Sequence, residues 1–191
     1  MSFMGTWCLV PVDADTIDHY APLLRPAIDE EAAQSSEFLQ WWRTLADTKE
    51  ARHQFMEAAA PGALAEHICV VYEAWNRGHD ASLPPIVVTV RKRFPAAALA
   101  YAVGPERFLQ IPGWLGDLVL SPEQVRQALP AIERAFAWNP QERSRAAQRL
   151  DDTLRDEGSQ EDIDALLDGI PPLWRAAADA GRGVLGAHFI P

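Results

Sequence analysis

The residues able to carry chemistry are few and scattered. Five histidines, His19, His53, His67, His79 and His188, are spaced so that no two share one helix face as paired metal ligands. His67 falls beside an apolar stripe, where a hydrogen-bonded boundary histidine is the commoner role. His188 lies in a closing apolar run and is the histidine expected at a sheet, which makes it the candidate acid or base near neutral pH. The two cysteines sit in Trp7-Cys8-Leu9-Val10 and Ile68-Cys69-Val70-Val71. Neighbours of that kind favour small buried thiols over a disulfide or a nucleophile.

Trp114 stands in a loop bracketed by Gly113 and Gly116, with Asp117 next. A turn does not need a tryptophan, so an exposed Trp114 would anchor a partner or ligand. Folded back, it would close a core edge instead. Trp41 and Trp42 cannot both face the same side of a helix; one belongs in the core and the other at a boundary, groove or interface. One candidate site is therefore a small-molecule pocket bordered by Trp114, Asp117, Trp41 or Trp42, and His188.

A second candidate is electrostatic. Asp151, Asp152, Asp156, Glu157, Glu161, Asp162, Asp164 and Asp168 crowd one segment, opposed there only by Arg155. The first six are candidates for docking a basic protein partner. The alternative is a solvated helix face, with acids gathered near a helix start where the macrodipole favours them. The segment lacks the alternation and glycine of an EF-hand.

Local catalytic motifs are missing: there is no P-loop, dinucleotide fingerprint, HExxH, GxSxG or CxxC. No cofactor or metal is expected, and no reaction is assigned. With 17 Lys and Arg against 27 Asp and Glu, the chain carries a net charge of −10. That sign disfavours nucleic acid and anionic membrane surfaces as partners. Residues Met1 to Val12 lack a basic start, and no apolar run is long enough to span a bilayer, so a cytoplasmic location is expected.

The elements that must position these residues follow from periodicity and caps. At 191 residues with 48% hydrophobic content, one domain with a real core is expected. Thr6 to Val12 predicts a strand. A short helix should follow from Asp13 or Asp15 to Leu24, broken near Pro22 and Pro26, with helix resuming around Ala27. Asp47 to Glu50 is a loose capping box for a helix ending at Pro61-Gly62, and Leu64, Ile68, Val71, Tyr72 and Trp75 line the next.

Ile86 to Val90 is apolar without alternation, which predicts a central strand covered on both faces, and Arg91-Lys92-Arg93 marks its exit to solvent. Ala96 to Val103 predicts a helix; Arg107 to Ile111 and Asp117 to Leu120 predict short strands. Ser121-Pro122-Glu123-Gln124 is a capping box with proline at the first helical position, and Pro130 should kink or divide that helix. Asn139-Pro140 starts a helix reaching Gly158, and Ser159 starts another, interrupted at Pro171-Pro172. Gly181 ends the helical part, before a strand from Val184 to Ile190. Residues 1–191 thus form a single α+β domain, helix-rich around a small mixed sheet that includes both terminal strands.

Leu120-Ser121-Pro122-Glu123-Gln124-Val125, the Leu129 and Ile132 stripe, and the ending Leu173-Trp174-Arg175-Ala176-Ala177-Ala178-Asp179-Ala180-Gly181 before Val184-Leu185 resemble the YfbM-like family of uncharacterised bacterial proteins. Met4-Gly5 before the first strand is compatible with it. The resemblance covers roughly the C-terminal 75 residues and departs at Pro84 to Phe94 and at the Trp114 loop. It implies a small mixed α/β domain and brings no catalytic residues.

The leading functional expectation is a non-catalytic cytoplasmic interaction protein, immunity- or antitoxin-like, that meets a basic partner through its acidic segment. The alternative is a small-molecule-binding protein or enzyme with a tryptophan-lined pocket. A homo-oligomeric structural protein is the third.

Overall fold

The computed structural model describes residues 3–59, 62–154 and 157–190. Four strands, β1 (Met4–Val12), β2 (Ile86–Arg91), β3 (Leu118–Leu120) and β4 (Gly183–Phe189), form one sheet in the order β2-β1-β4-β3. Both terminal strands are central, as their apolar runs require, and the class is α+β. Every pairing is antiparallel, so the sheet is not mixed in direction.

Ten α-helices surround it among the described residues. Helices α1 (Ala14–Gln34) and α4 (Ile68–Gly78) lie over the face that carries Thr6, Cys8 and Val10. The other face, with Trp7, Leu9 and Val88, is covered by α5 (Pro95–Val103), α9 (Gln160–Asp168) and α10 (Ile170–Asp179). Eight of the nine residues of α5 are buried, because α8 (Pro140–Leu154) packs behind it. An alanine-rich helix suits that place: small side chains let sheet and helix approach closely.

Several expectations are corrected. Pro22 and Pro26 do not break α1, which runs for 21 residues. They are four apart on its exposed side, where the carbonyls they leave unbonded meet water. Pro130 is likewise exposed and contained within α7 (Pro122–Ala135). Strand β2 is an edge, not a centre. It pairs only with β1 and alternates, with Val88 and Val90 inward and Val87 45% exposed. Its outward positions happen to be apolar or β-branched, which hid the alternation.

Arg107 to Ile111 is not a strand. Pro105 opens the short helix α6 (Pro105–Phe108), Phe108 is buried, and Arg107 donates to the Ala135 carbonyl at 2.8 Å. Thr48, not Asp47, caps α3 (Lys49–Ala58), accepting from the Ala51 N–H at 3.1 Å. Helix α8 is described through Leu154, and Glu157 and Gly158 lie outside it. The capping boxes at Ser121 and Ser159 form as their sequences predict. No helix among the described residues is long and apolar enough to cross a membrane.

Candidate functional site

The residues singled out for a tryptophan-lined pocket come together, but inside the protein. Residues Trp114 and Asp117 close a tight turn, each backbone N–H donating to the other's carbonyl at 2.9 and 2.8 Å. The turn faces inward, and Trp114 is 6% exposed. Its ring meets Phe38 of α2 (Ser36–Arg43) at 5.9 Å, and Phe38 in turn meets Trp41, Trp42 and Phe55. Trp42 is buried and Trp41 half-buried, the expected division between neighbours on one helix. This is an aromatic core; Trp42 alone of the predicted residues borders a cavity, a small one of about 130 Å³ shared with Asp47, Tyr101 and Arg149. A loop tryptophan folded over a core edge is the outcome here.

Asp117 is fully buried and works on backbone. One carboxylate oxygen accepts from the His188 N–H at 2.7 Å and the other from the Leu64 N–H at 2.9 Å. It thereby prolongs the β3–β4 ladder beyond Leu118 and ties in the chain before α4. Gly62 passes so close that a Cβ there would collide with the carboxylate. Burial raises the Asp117 pKa to about 8, against the lowering effect of the two backbone hydrogen bonds.

His188 shares a sheet face with Trp7, and its ring stands edge-on to Phe94 at 4.9 Å. Neither ring nitrogen has a hydrogen-bond partner among the described residues, and burial lowers its pKa to about 4. The ring is neutral at pH 7 and packs as an aromatic. Buried Cys8 follows the same rule, its thiol raised to about 12 by burial.

The acidic segment is largely engaged within the molecule. Asp152 pairs with Arg52 at 3.5 Å and Glu157 with Arg91 at 3.1 Å. Asp162 completes the box at Ser159, while Asp164 and Asp168 both hold Arg143. Asp151 is half-buried and Glu161 exposed, and neither has an ion pair among the described residues. Asp156 lies outside the described residues. Most of these acids are therefore pinned to arginines or helix starts.

The open chemistry lies elsewhere, where an acidic protein gathers its lysines. The chain has only two lysines, Lys49 and Lys92, and both line adjoining cavities between α3 and the turn after β2. The first, about 210 Å³, is bordered by Lys49, Arg52, His53, Met56, Arg93, Asp152 and Thr153. The second, about 460 Å³, shares His53, Met56 and Arg93 and adds Phe3, Glu57, Lys92, Phe94 and Ile190.

Local sequence explains the arrangement. Lys49, Arg52, His53 and Met56 fall at i, i+3, i+4 and i+7 of α3, one face of a helix. Opposite, Lys92 takes φ 56°, a left-handed conformation uncommon for lysine. Its N–H is held by the Phe3 carbonyl at 2.8 Å. Gly5 permits this turn, since any Cβ there would strike the Arg93 carbonyl. Arg93 is fixed by bonds to the Thr153 and Lys92 carbonyls at 3.1 and 2.6 Å.

Some of this charge is answered locally: Arg52 by Asp152, and His53 by Glu57 at 3.4 Å. Lys49 and Lys92 have no carboxylate within ion-pair distance among the described residues, and the Arg52 Nε has no acceptor. The sequence does carry a signal for this groove. In a chain whose positive charge is almost all arginine, both lysines belong to it, one of them inside Arg91-Lys92-Arg93. No group of three or more metal-ligating side chains is assembled among the described residues. Comparison with protein-family models, curated proteins and solved structures found no match to this chain.

Proposed function

We propose that the protein binds a small organic anion, a carboxylate or a phosphate ester, in the groove between α3 and the β2–α5 turn. One observation carries this. A chain of net charge −10 places both of its lysines, without carboxylate partners among the described residues, around cavities also lined by Arg52 and Arg93. The combined space is of the order of small-ligand sites, roughly 300–1,000 Å³. Cations held near apolar walls attract an anion more strongly than the same cations in open water. The groove offers binding and orientation, and the reading is of a binding protein.

Calorimetric titration with octyl phosphate at low salt tests it. Lys49→Gln together with Lys92→Gln should weaken binding at least about tenfold, as expected for the loss of charge-assisted hydrogen bonds. Added salt should weaken the wild-type interaction. Equal binding by wild type and the double variant would remove the proposal.

A basic protein partner is the second reading, supported by the net charge of −10 that persists despite the internal ion pairs. Charge reversal at Asp151 and Glu161, the acids of the segment left without ion pairs, should then slow association with that partner. Unchanged association kinetics would set it aside.

A further inference from the structure

Resting on the anion-binding reading above, we infer that the ligand is a free single-chain amphiphile. Its anionic head lies at the Lys49–Arg52 end, and its apolar chain runs along Phe3, Met56, Phe94 and Ile190. The two cavities adjoin, sharing His53, Met56 and Arg93 as walls, and differ in what each adds. Apart from Met56, the smaller is walled by charged and polar side chains, Asp152 among them. The larger, about 460 Å³, combines four apolar side chains, Phe3, Met56, Phe94 and Ile190, with His53, Glu57, Lys92 and Arg93.

A bare inorganic anion would fill the smaller cavity and leave the larger to water. Phe3 and Phe94 stand 5.1 Å apart by ring centroids as a paired aromatic wall, and Ile190 is 46% exposed at the mouth. That apolar surface is open at the place where the cations gather, and a chain attached to an anionic head covers it. Lys92 stands at the rim of the larger cavity, where its methylenes can lie along the chain while its ammonium stays in water. The same chemistry occurs in free amphiphiles and in bilayer headgroups. A net charge of −10 repels an anionic membrane surface, which favours the free molecule.

The test compares inorganic phosphate with ethyl, octyl and dodecyl phosphate, each below its micellar concentration, by calorimetry on the full chain. Octyl and dodecyl phosphate should bind at least about tenfold tighter than ethyl phosphate, since each buried methylene contributes favourably. Ile190→Ser, at an exposed position that borders only the larger cavity, should shrink the ratio of octyl to ethyl phosphate affinity, and Met56→Gln should shrink it too; an unchanged ratio in Ile190→Ser would overturn the chain's placement.

Equal affinity for every chain length would overturn the amphiphile and leave the anion site standing. Binding of none of the four would overturn both. Vesicles containing phosphatidylglycerol form the last arm. Co-sedimentation with them, without binding of monomeric dodecyl phosphate, would overturn the free ligand in favour of a membrane surface.

Discussion

Two tight turns, Trp114 to Asp117 and Arg91 to Phe94, hold the only non-glycine residues with left-handed backbone among those described, Leu115 at φ 44° and Lys92 at φ 56°. The first turn points its polar residue inward. Asp117 is wholly buried, both oxygens bonded to backbone N–H groups, with Trp114 sealed into an aromatic cluster. The second points outward and sets Lys92, without a carboxylate partner among the described residues, beside a cavity. Strained backbone serves packing in one turn and the shaping of a recess in the other. What separates them is whether the polar atoms are already satisfied by the protein itself.

That contrast gives the largest expected effect. Asp117→Ala strands two buried N–H groups, at about 1–3 kcal/mol each, so urea unfolding should show a loss of roughly 3 kcal/mol or more. Lys49→Gln and Lys92→Gln should stay within about 0.5 kcal/mol of wild type, as surface substitutions do. Comparable losses for both sets would erase the distinction between the turns.

Gly5→Ala should come next. Its methyl group collides with the Arg93 carbonyl, an overpacking expected to cost about 1–3 kcal/mol. Because the collision moves the Lys92 turn, affinity for octyl phosphate should fall with stability. A destabilised variant that still binds at full strength would show that the turn does not shape the site.

A pH series sharpens the account of the buried turn. The Asp117 carboxyl is raised from 3.8 to about 8 on folding, so the folded protein keeps a proton that the unfolded chain releases. Stability of wild type relative to Asp117→Asn should therefore fall between pH 3.8 and about 8 and level off above. His188 acts in the opposite sense. Its pKa drops from 6.5 to about 4, so wild type relative to His188→Phe should lose stability as pH falls from 6.5 to about 4. Parallel profiles for wild type and either variant would contradict the burial argument. The smallest effect is optical: no tryptophan lines either cavity, so octyl phosphate should leave the tryptophan emission maximum in place.

Much of the fold was legible because local rules produced it. The boxes at Ser121 and Ser159 need only residues three apart, and the terminal strands declare themselves by largely apolar, β-branched and aromatic runs. The misreadings came where tertiary position overrides composition. Prolines 22 and 26 are harmless in a helix once both face water. Strand β2 reads as central because its solvent-facing positions are valine and threonine.

The site was harder to see, for a physical reason. Trp114, Asp117 and His188 are residue types that do chemistry when exposed, and burial makes all three structural. The groove is built from α3, the β2–α5 turn, the end of α8 and residues next to both terminal strands, segments far apart in sequence. Only the placement of two lysines in an arginine-rich chain hinted at it.

Amide chemical-shift mapping during titration with octyl phosphate tests the central claim most directly. Shifts confined to Lys49, His53, Met56, Lys92 to Phe94 and Ile190, with Trp114, Asp117 and His188 unmoved or moved only slightly, are the predicted result. Leading shifts at the Trp114–Asp117 turn or along Asp151 to Asp168, with the groove silent, would contradict it and return function to the regions the fold has closed or neutralised.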